Sequence, residues 1–328
     1  MRKLKEDFQP DLDLSVVLPV YNEEDNIVEM HAEIDAAMKK MGRSYEIIFV
    51  NDGSSDHTLE RLVEIQDADP NSVVVEFRRN FGQTAAMSAG FDLARGQVVV
   101  SMDSDRQNDP ADIPMLVEKI EEGYDLVSGW RFDRQDGLFL RLIPSKIANK
   151  LISYTTDVKL HDYGCSLKAF RWELVKQLSM YGEMHRFIPA IASWVGARIT
   201  EVKVNHRART AGQSKYGISR TFRVILDLIT VKFMMNSSSR PLQFFGAIGM
   251  VSTTLGVLIG LYLSIQRLFF SVSIGDRPAL LLAVLLIFIG LQFITSGLLA
   301  EMMTRTYHES QDKPTYTIRR IYGRGEEA

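Results

Sequence analysis

The sequence of 328 residues contains a single cysteine, Cys165, so it cannot form an intrachain disulfide bond. This is typical of a protein in a reducing compartment. The formal net charge is −3, which gives no support for nucleic-acid binding by overall charge. Residues 1–13 are rich in charge and have no apolar core, so we expect no signal peptide there.

Long apolar runs are absent from the first 240 residues, which have the composition of a soluble α/β protein. Two uncharged stretches follow, at 242–266 and 278–300, and each is long enough to cross the ~30 Å hydrocarbon layer as a helix. The alternative is a buried hairpin of a soluble domain. We favour a membrane hairpin because buried core helices are usually shorter and interrupted by polar residues.

Basic residues flank the outer ends of both stretches, which predicts that both termini are cytoplasmic. The link at 267–277 also contains two arginines, which weaken the asymmetry of basic residues between the two sides without reversing it. Residues 218–235 place apolar side chains beside a basic face, which predicts an interfacial helix on an anionic leaflet rather than an ordinary amphipathic surface helix. The predicted organisation is a catalytic domain at 1–216, a juxtamembrane helix at 217–240, a transmembrane hairpin at 241–301 and a cytoplasmic tail at 302–328.

The first hundred residues alternate strand and helix patterns, as in a doubly wound, mostly parallel α/β sheet. The predicted strands are 14–20, 45–50, 72–77 and 97–101, and the predicted helices are 23–41, 58–68 and 84–94. The pattern is less regular beyond residue 110. There we expect helices at 112–122, 141–155, 172–179 and 188–195, and strands at 125–130, 167–170 and 199–205.

Polar clusters follow three of these strands, at residues 21–23, 51–53 and 103–105. Ligands of such sheets bind beyond the carboxyl ends of the strands. A single Asn-Asp-Gly-Ser turn is more often only a loop, but three clusters at one edge indicate a binding site. Asp103 and Asp105 offer two carboxylates one residue apart, which suits a divalent metal holding a diphosphate.

Seven motifs extend this pattern along the chain. They are VVLPVYNEEDNI (16–27), VNDGSSDHT (50–58), RNFGQTAAMSAGFDLARG (79–96), MDSDRQNDP (102–110), HDYGCSLKAFR (161–171), HRFIP (185–189) and HRARTAGQSKY (206–216). In this order and spacing the chain resembles family 2 glycosyltransferases that glycosylate polyprenyl phosphates. That group includes dolichyl-phosphate mannose synthases, bactoprenol glucosyltransferases and undecaprenyl-phosphate formamidoarabinose transferases. Arg106, where relatives usually have an apolar residue, and Asn108-Asp109-Pro110, in place of a doubled proline, depart from the family pattern.

The resemblance implies a GT-A-type, Rossmann-like nucleotide-sugar domain, followed by the interfacial helix and the two-helix hairpin, in a bacterial-type plasma membrane. It implies a nucleotide pocket lined by Pro19, Tyr21, Glu23, Asp52, Asp103 and Ser104. It also implies that Asp103, Asp105 and Gln107 hold Mg²⁺ or Mn²⁺ with the donor diphosphate. A carboxylate such as Asp52 accepts the imino N–H of either uracil or guanine, so it does not separate the two nucleotides.

A lipid monophosphate acceptor is already ionised near neutral pH, because its second pKa is about 6, so the site needs cations rather than a general base. The motifs offer Arg131, Arg141, Arg209 and Lys215, with Ser145 and Ser214 as hydroxyl donors; by resemblance Arg131, Arg141, Ser145 and Arg209 hold the acceptor phosphate. Asp162 matches a position near the reacting centre, and we expect it to orient a substrate rather than to act as an obligatory base. The expected catalytic residues are Asp105, Asp162, Arg131 and Arg209.

His185 and Arg186 match a family motif near the active site, although a structural histidine is an equal alternative, and Arg207 is assigned no more than a structural role. The predicted reaction is an inverting, metal-dependent transfer of one sugar, with a UDP-sugar favoured, to undecaprenyl phosphate. GDP-mannose and UDP-formamidoarabinose remain alternative donors. More remote alternatives are a processive polysaccharide synthase, whose Gln-x-x-Arg-Trp motif is absent, and an inactive sugar-nucleotide sensor. Glycines in the spans allow close helix packing, within the hairpin or in a homo-oligomer.

Overall fold

The computed structural model describes residues 9–132, 160–178, 180, 184–207, 241–270, 278–310 and 316–323. These residues fall into two units, one within Met1–Leu228 and Lys313–Ala328 and the other within Ile229–Asp312. The first unit contains the sheet, and the second contains the two long apolar helices.

The described part of the first unit holds one sheet of eight strands in the order β7-β5-β6-β4-β1-β2-β3-β8. The strands are β1 (Leu12–Val20), β2 (Tyr45–Asn51), β3 (Ser72–Phe77), β4 (Gly96–Ser101), β5 (Leu126–Arg131), β6 (Lys168–Arg171), β7 (Ile199–Val204) and β8 (Ile318–Tyr322). The helices between them are α1 (Ile27–Met41), α2 (Thr58–Ala68), α3 (Gln83–Leu93), α4 (Ile113–Glu121), α5 (Trp172–Gln177) and α6 (Ile188–Trp194).

The centre of the sheet is parallel: β1 pairs with β2 and β4, and β2 pairs with β3. These strands are apolar on both faces because helices cover both sides, which is the usual reason that parallel strands lack alternation. The small residues of α3 let that helix lie close to β1. A Cβ atom added to Gly90 would come within 2.2 Å of a Val17 methyl group.

The strand and helix types predicted for the described residues before 205 agree with the structure, with shifts of a few residues at their ends. The largest shift is at the start of α1, predicted at residue 23 and found at Ile27. Residues before Ile27 form a turn instead, because the Glu23 carbonyl accepts the Asn26 N–H at 3.0 Å and the Glu23 N–H donates to Thr58 Oγ1 at 2.9 Å.

The segment predicted only as a tail, 302–328, contributes the edge strand β8, which pairs antiparallel with β3. Tyr316 precedes this strand and stacks on Phe77 with ring centroids 5.3 Å apart, and its hydroxyl donates to Asp92 at 2.7 Å. Arg319 and Tyr322 both bind the carboxylate of Glu76. Residues after the second apolar helix are therefore anchored in the sheet.

The second unit contains α7 (Pro241–Phe270) and α8 (Pro278–Ser310), within which Phe245–Phe270 and Pro278–Leu299 are long and apolar enough to cross a membrane. Large apolar side chains lie exposed along both, and Phe269 is 78% exposed. A buried soluble hairpin would cover such side chains, so their exposure favours the membrane reading.

Close packing between α7 and α8 depends on glycine. A Cβ atom added to Gly249 would lie 2.6 Å from the Gly290 carbonyl oxygen, and one added to Gly256 would lie 2.7 Å from that of Ala283. These glycines therefore serve contacts within the hairpin, where Ser252 Oγ also donates to the Leu286 carbonyl at 2.9 Å.

Candidate active site

A pocket of about 310 Å³ lies beyond the carboxyl ends of β1, β2 and β4, where the sequence predicts the nucleotide site. Its walls contain all six residues predicted to line the nucleotide pocket, together with Asp105. The lining residues are Pro19, Val20, Tyr21, Glu23, Asp52, Asn80, Gly82, Gln83, Asp103, Ser104 and Asp105. A second cavity lies beside β8 and contains none of the predicted site residues.

Asp52 holds in place the main chain at Phe81 and Gly82, beside the pocket. Its carboxylate accepts the N–H of Phe81 at 2.6 Å and that of Gly82 at 2.9 Å. Burial raises the pKa of Asp52, and the two N–H donors and nearby Arg79 partly offset that rise. Asp52 therefore fixes the loop that begins α3, besides having the pocket position expected of a base-contacting residue.

Ser104 ties together two of the loops that form the pocket. Its hydroxyl donates to the Pro19 carbonyl oxygen at 3.1 Å, which joins the loop after β4 to the end of β1. Ser104 is buried. This bond holds the neighbouring carboxylates, Asp103 and Asp105, beside the residues that follow β1.

Asp103 and Asp105 form the acidic side of the pocket. Burial and the charge of Asp105 raise the pKa of Asp103, while a hydrogen bond from Ser166 and the charges of Arg131 and Lys168 oppose this rise. A cation would relieve the repulsion between the two carboxylates. Within the described residues no group of three His, Cys, Asp or Glu side chains converges on one point. Two carboxylates with positions left for phosphate oxygens and water suit Mg²⁺ or Mn²⁺.

Gln107, the third predicted metal ligand, does not line the pocket. Its N–H donates to Asp105 Oδ1 at 3.2 Å, and its carbonyl oxygen accepts the N–H of Arg207 at 2.9 Å. These main-chain bonds shape the loop that follows β4. A metal contact by the Gln107 side chain stays a prediction.

Arg131 and Asp162 form a two-point ion pair at the end of β5. Arg131 Nε lies 2.7 Å from Asp162 Oδ2, and Arg131 Nη2 lies 3.0 Å from Oδ1. Although burial by itself lowers it, the pKa of Arg131 is raised overall by this carboxylate. Asp162 also accepts the N–H of Gly164 at 3.0 Å. The pair fixes the direction of the guanidinium near Asp103.

No role is predicted from the sequence for Lys168, Ser166 or Gln83, which support the acidic residues. Lys168 is buried and donates to the carbonyl oxygens of Tyr163 and Cys165; its burial lowers its pKa. Gln83 Nε2 donates to Asp103 Oδ1 at 2.8 Å. All three residues lie inside the sequence motifs at 79–96 and 161–171. A motif marks the segment as functional, but it does not show which of its side chains point towards the site.

His185 lies beside the start of α3. Its Nδ1 is 2.7 Å from Thr84 Oγ1, and Thr84 follows Gln83, which binds Asp103. The structure therefore brings the HRFIP motif to the edge of this pocket. Five predicted acceptor residues, and the predicted helices at 141–155 and 218–235, lie outside the described residues. The five are Arg141, Ser145, Arg209, Ser214 and Lys215.

The chain is similar to known proteins over nearly its whole length. The family model described as Glycosyl transferase family 2 matches residues 15–179. The chain is 49% identical over 315 residues to the dodecaprenyl-phosphate galacturonate synthase of Rhizobium johnstonii, covering 95% of the chain and 93% of that protein. It is 39% identical over 323 residues to the undecaprenyl-phosphate 4-deoxy-4-formamido-L-arabinose transferase of Klebsiella pneumoniae, covering 98% and 97%.

A solved structure of similar fold is the glucosyl-3-phosphoglycerate synthase of Mycobacterium tuberculosis in complex with Mn²⁺, uridine diphosphate and glucosyl-3-phosphoglycerate. The TM-score is 0.53 at 21% identity, and the match covers 69% of the chain and 80% of that structure. This likeness confirms the predicted GT-A-type α/β fold.

Proposed function

The chain belongs to glycosyl transferase family 2, and from this premise we propose that it transfers one sugar from a UDP-sugar to a polyprenyl phosphate. The observation that carries the proposal is the pocket in which Asp103 and Asp105 adjoin the predicted nucleotide residues, with the Arg131–Asp162 pair near Asp103. The acceptor class is that named for both relatives, which match the chain over nearly its whole length.

The residues that line the pocket support the proposed mode of donor binding. Tyr21, Glu23 and Asp52 contact the base and ribose, and the diphosphate lies toward Asp103 and Asp105. Asp103 and Asp105 would hold Mg²⁺ or Mn²⁺, and the bound cation would supply positive charge against the departing nucleoside diphosphate. The Mn²⁺ and uridine diphosphate held by the synthase of similar fold make this pair the first to test here.

The chain's own groups position the acceptor. Arginine binds phosphate oxygens bidentately, and Arg131 is the described member of the proposed acceptor set. Asp162 engages two of its nitrogens, so the guanidinium keeps its remaining N–H donors for an anion. Arg141, Ser145, Arg209, Ser214 and Lys215 complete the proposed set.

The reaction is a single displacement. A phosphate oxygen of the lipid attacks the anomeric carbon while the bond to the nucleoside diphosphate breaks, so the configuration at that carbon inverts. The acceptor is already ionised, and no proton has to be removed from it. Asp162 then serves to orient Arg131, in keeping with its ion pair.

For the sugar, we propose galacturonic acid as the first candidate and 4-deoxy-4-formamidoarabinose as the second. The galacturonate synthase is 49% identical to the chain and the formamidoarabinose transferase is 39% identical. We further propose that the enzyme acts at the cytoplasmic face of the plasma membrane, anchored by the two apolar helices, because basic residues flank their outer ends.

The test is an assay of the purified full-length protein with Mn²⁺, undecaprenyl phosphate and a panel of radiolabelled UDP-sugars and GDP-mannose. We expect a lipid-linked product carrying one sugar, formed from a UDP-sugar. Chains of several sugars would indicate a processive synthase. Binding of UDP without any transfer to lipid phosphate would indicate a sensor, and either result would contradict the proposal.

A further inference from the structure

A chain of ion pairs with alternating charge runs beside the active site, outside the pocket. Its members are Glu29, Arg106, Glu33, Arg207 and Asp109. Arg106 Nη2 lies 2.8 Å from Glu33 Oε1, and Arg207 Nη1 lies 2.5 Å from Glu33 Oε2. Glu33 is thus the central member, with one carboxylate oxygen for each arginine.

The two arginines belong to different halves of the site. Arg106 follows Asp105 directly and belongs to the loop at 103–110, called the metal loop because its carboxylates are proposed above to hold the cation. Arg207 is the last described residue before the segment that contains Arg209, proposed above to hold the acceptor phosphate. Arg209 follows Arg207 by two residues in the sequence, and two residues of chain span at most about 7 Å.

Main-chain bonds join the same two segments. Asn108 and His206 form an antiparallel β-bridge, and the Arg207 N–H donates to the Gln107 carbonyl at 2.9 Å. Arg207 Nη2 also lies 2.8 Å from Asp109 Oδ1. The metal loop and residues 206–207 therefore lie side by side, and the ion pairs of Glu33 connect both to α1.

The backbone of Arg106 indicates that its contact is held firmly. Its φ is 61°, in the left-handed region that non-glycine residues seldom adopt. Such a conformation persists only where surrounding contacts over-determine it. Its side chain contacts both Glu29 and Glu33, and Glu33 is the less exposed of the two partners, at 26% against 64%.

We propose that Glu33 is a positioning residue that holds the metal loop in register with residues 206–207, which directly precede the proposed acceptor residues in the sequence. This role rests on the proposed function, since it concerns the geometry between the donor diphosphate and the attacking phosphate. Attack in line with the leaving group demands close alignment, and a misplacement of about 1 Å can cost about 100-fold in rate. Glu33 contributes to this alignment without being placed among the pocket residues.

The test compares Glu33→Gln with Glu29→Gln as a matched control. Glu29 lies one turn earlier on α1 and contacts Arg106 but not Arg207 among the described pairs. We expect Glu33→Gln to lower kcat for transfer to undecaprenyl phosphate by about 10- to 100-fold. The affinity for UDP with Mn²⁺, measured by calorimetry without acceptor, should change less than about threefold, because the pocket residues are intact. Glu29→Gln should keep kcat within about twofold of the wild type.

Thermal unfolding of each variant separates positioning from loss of fold. A kcat loss matched by a lower folded fraction, or equal kcat for the two variants, would overturn the role of Glu33 alone. Absence of transfer by the wild type would overturn the proposed function, and this role with it. A second measurement is the double variant Arg106→Gln with Arg207→Gln. Linkage through Glu33 predicts a joint loss smaller than the product of the single losses, whereas independent residues give the full product.

Discussion

The carboxylate of Asp162 accepts two hydrogen bonds from the guanidinium of Arg131, of 2.7 Å and 3.0 Å, and both side chains are largely shielded from solvent. A paired carboxylate of this kind is well suited to orient an arginine and poorly suited to collect a proton from a substrate. The proposed acceptor also has no proton to lose at neutral pH. Two independent considerations therefore support the positioning role proposed for Asp162.

Asp162→Asn should leave the Arg131 charge buried and poorly compensated. Breaking a buried ion pair by removing one partner costs about 3–5 kcal/mol. We expect a clear fall in the midpoint of thermal unfolding and a loss of about 100-fold in kcat/KM for lipid phosphate, because the guanidinium loses its orientation. The shape of the pH profile of kcat should not change.

Glu201→Gln provides the control for this substitution. Glu201 binds the main chain and ring of His161, next to Asp162, but its partner is exposed. Exposed ion pairs contribute only about 0–1 kcal/mol, so this variant should remain close to wild type. If Asp162→Asn abolished turnover and also removed an acidic limb of the pH profile, Asp162 would be a general base and the positioning role would be wrong.

Removal of divalent metal should abolish transfer, because the repulsion between Asp103 and Asp105 and the charge of the donor diphosphate would then be uncompensated. We expect EDTA to stop the reaction and Mn²⁺ or Mg²⁺ to restore it. Asp105→Asn should lower kcat by at least about 100-fold, as loss of electrostatic stabilisation commonly does. Gln107→Ala should raise the Mn²⁺ concentration for half-maximal rate only a few-fold, because its main-chain bonds survive. Transfer that proceeds fully in EDTA would contradict metal use.

The pocket at the sheet edge was predictable because its residues follow strands whose apolar runs are plain in the sequence. Tyr21, Asp52 and Asp103 could be placed at one sheet edge by counting strands, and the structure places all three in one pocket. The edge strand β8 was not predictable. Its five residues, IRRIY, carry two arginines, and its partner β3 lies some 240 residues earlier, so only the free edge of the folded sheet selects it.

Buried cations were missed for a related reason. Lys168 lies in a short strand where a lysine is normally expected to face solvent, and only the folded sheet turns it toward carbonyl oxygens beneath the acidic residues. Arg106 was noticed as a departure from the family pattern, yet its role required the position of Glu33, 73 residues earlier. Pairing across such separations depends on tertiary structure, which local patterns do not contain.

The C-terminal strand should support the nucleotide pocket through aromatic contacts. Tyr316 stacks on Phe77, and Phe77 meets Phe81 edge to face at 5.6 Å, while the Phe81 N–H binds Asp52. Tyr316→Ala should lower the thermal midpoint by several degrees, since an aromatic pair contributes about 0.5–1.5 kcal/mol beyond area burial, and should weaken UDP binding a few-fold.

Two further variants identify which part of Tyr316 matters. Tyr316→Phe removes only the hydroxyl bond to Asp92 and should cost about 1 kcal/mol. Arg320→Ala, an exposed change on the strand that follows Tyr316, should leave both readouts near wild type. If Tyr316→Ala and Arg320→Ala behaved alike, the stacked ring would have no part in supporting the pocket.

The apolar hairpin should tolerate added bulk at one glycine and reject it at another. A Cβ atom at Gly249 would lie 2.6 Å from the Gly290 carbonyl oxygen, whereas one at Gly260 would meet nothing within 4 Å. Gly249→Ala should therefore force α7 away from α8 and lose the van der Waals contacts on which helix association in lipid depends.

Gly260→Ala is the matched control on the same helix. Thermal stability in detergent, followed by size-exclusion chromatography, should fall by several degrees for Gly249→Ala and not for Gly260→Ala. The reverse order would show that Gly260 faces a second copy of the chain and that Gly249 does not set the hairpin spacing.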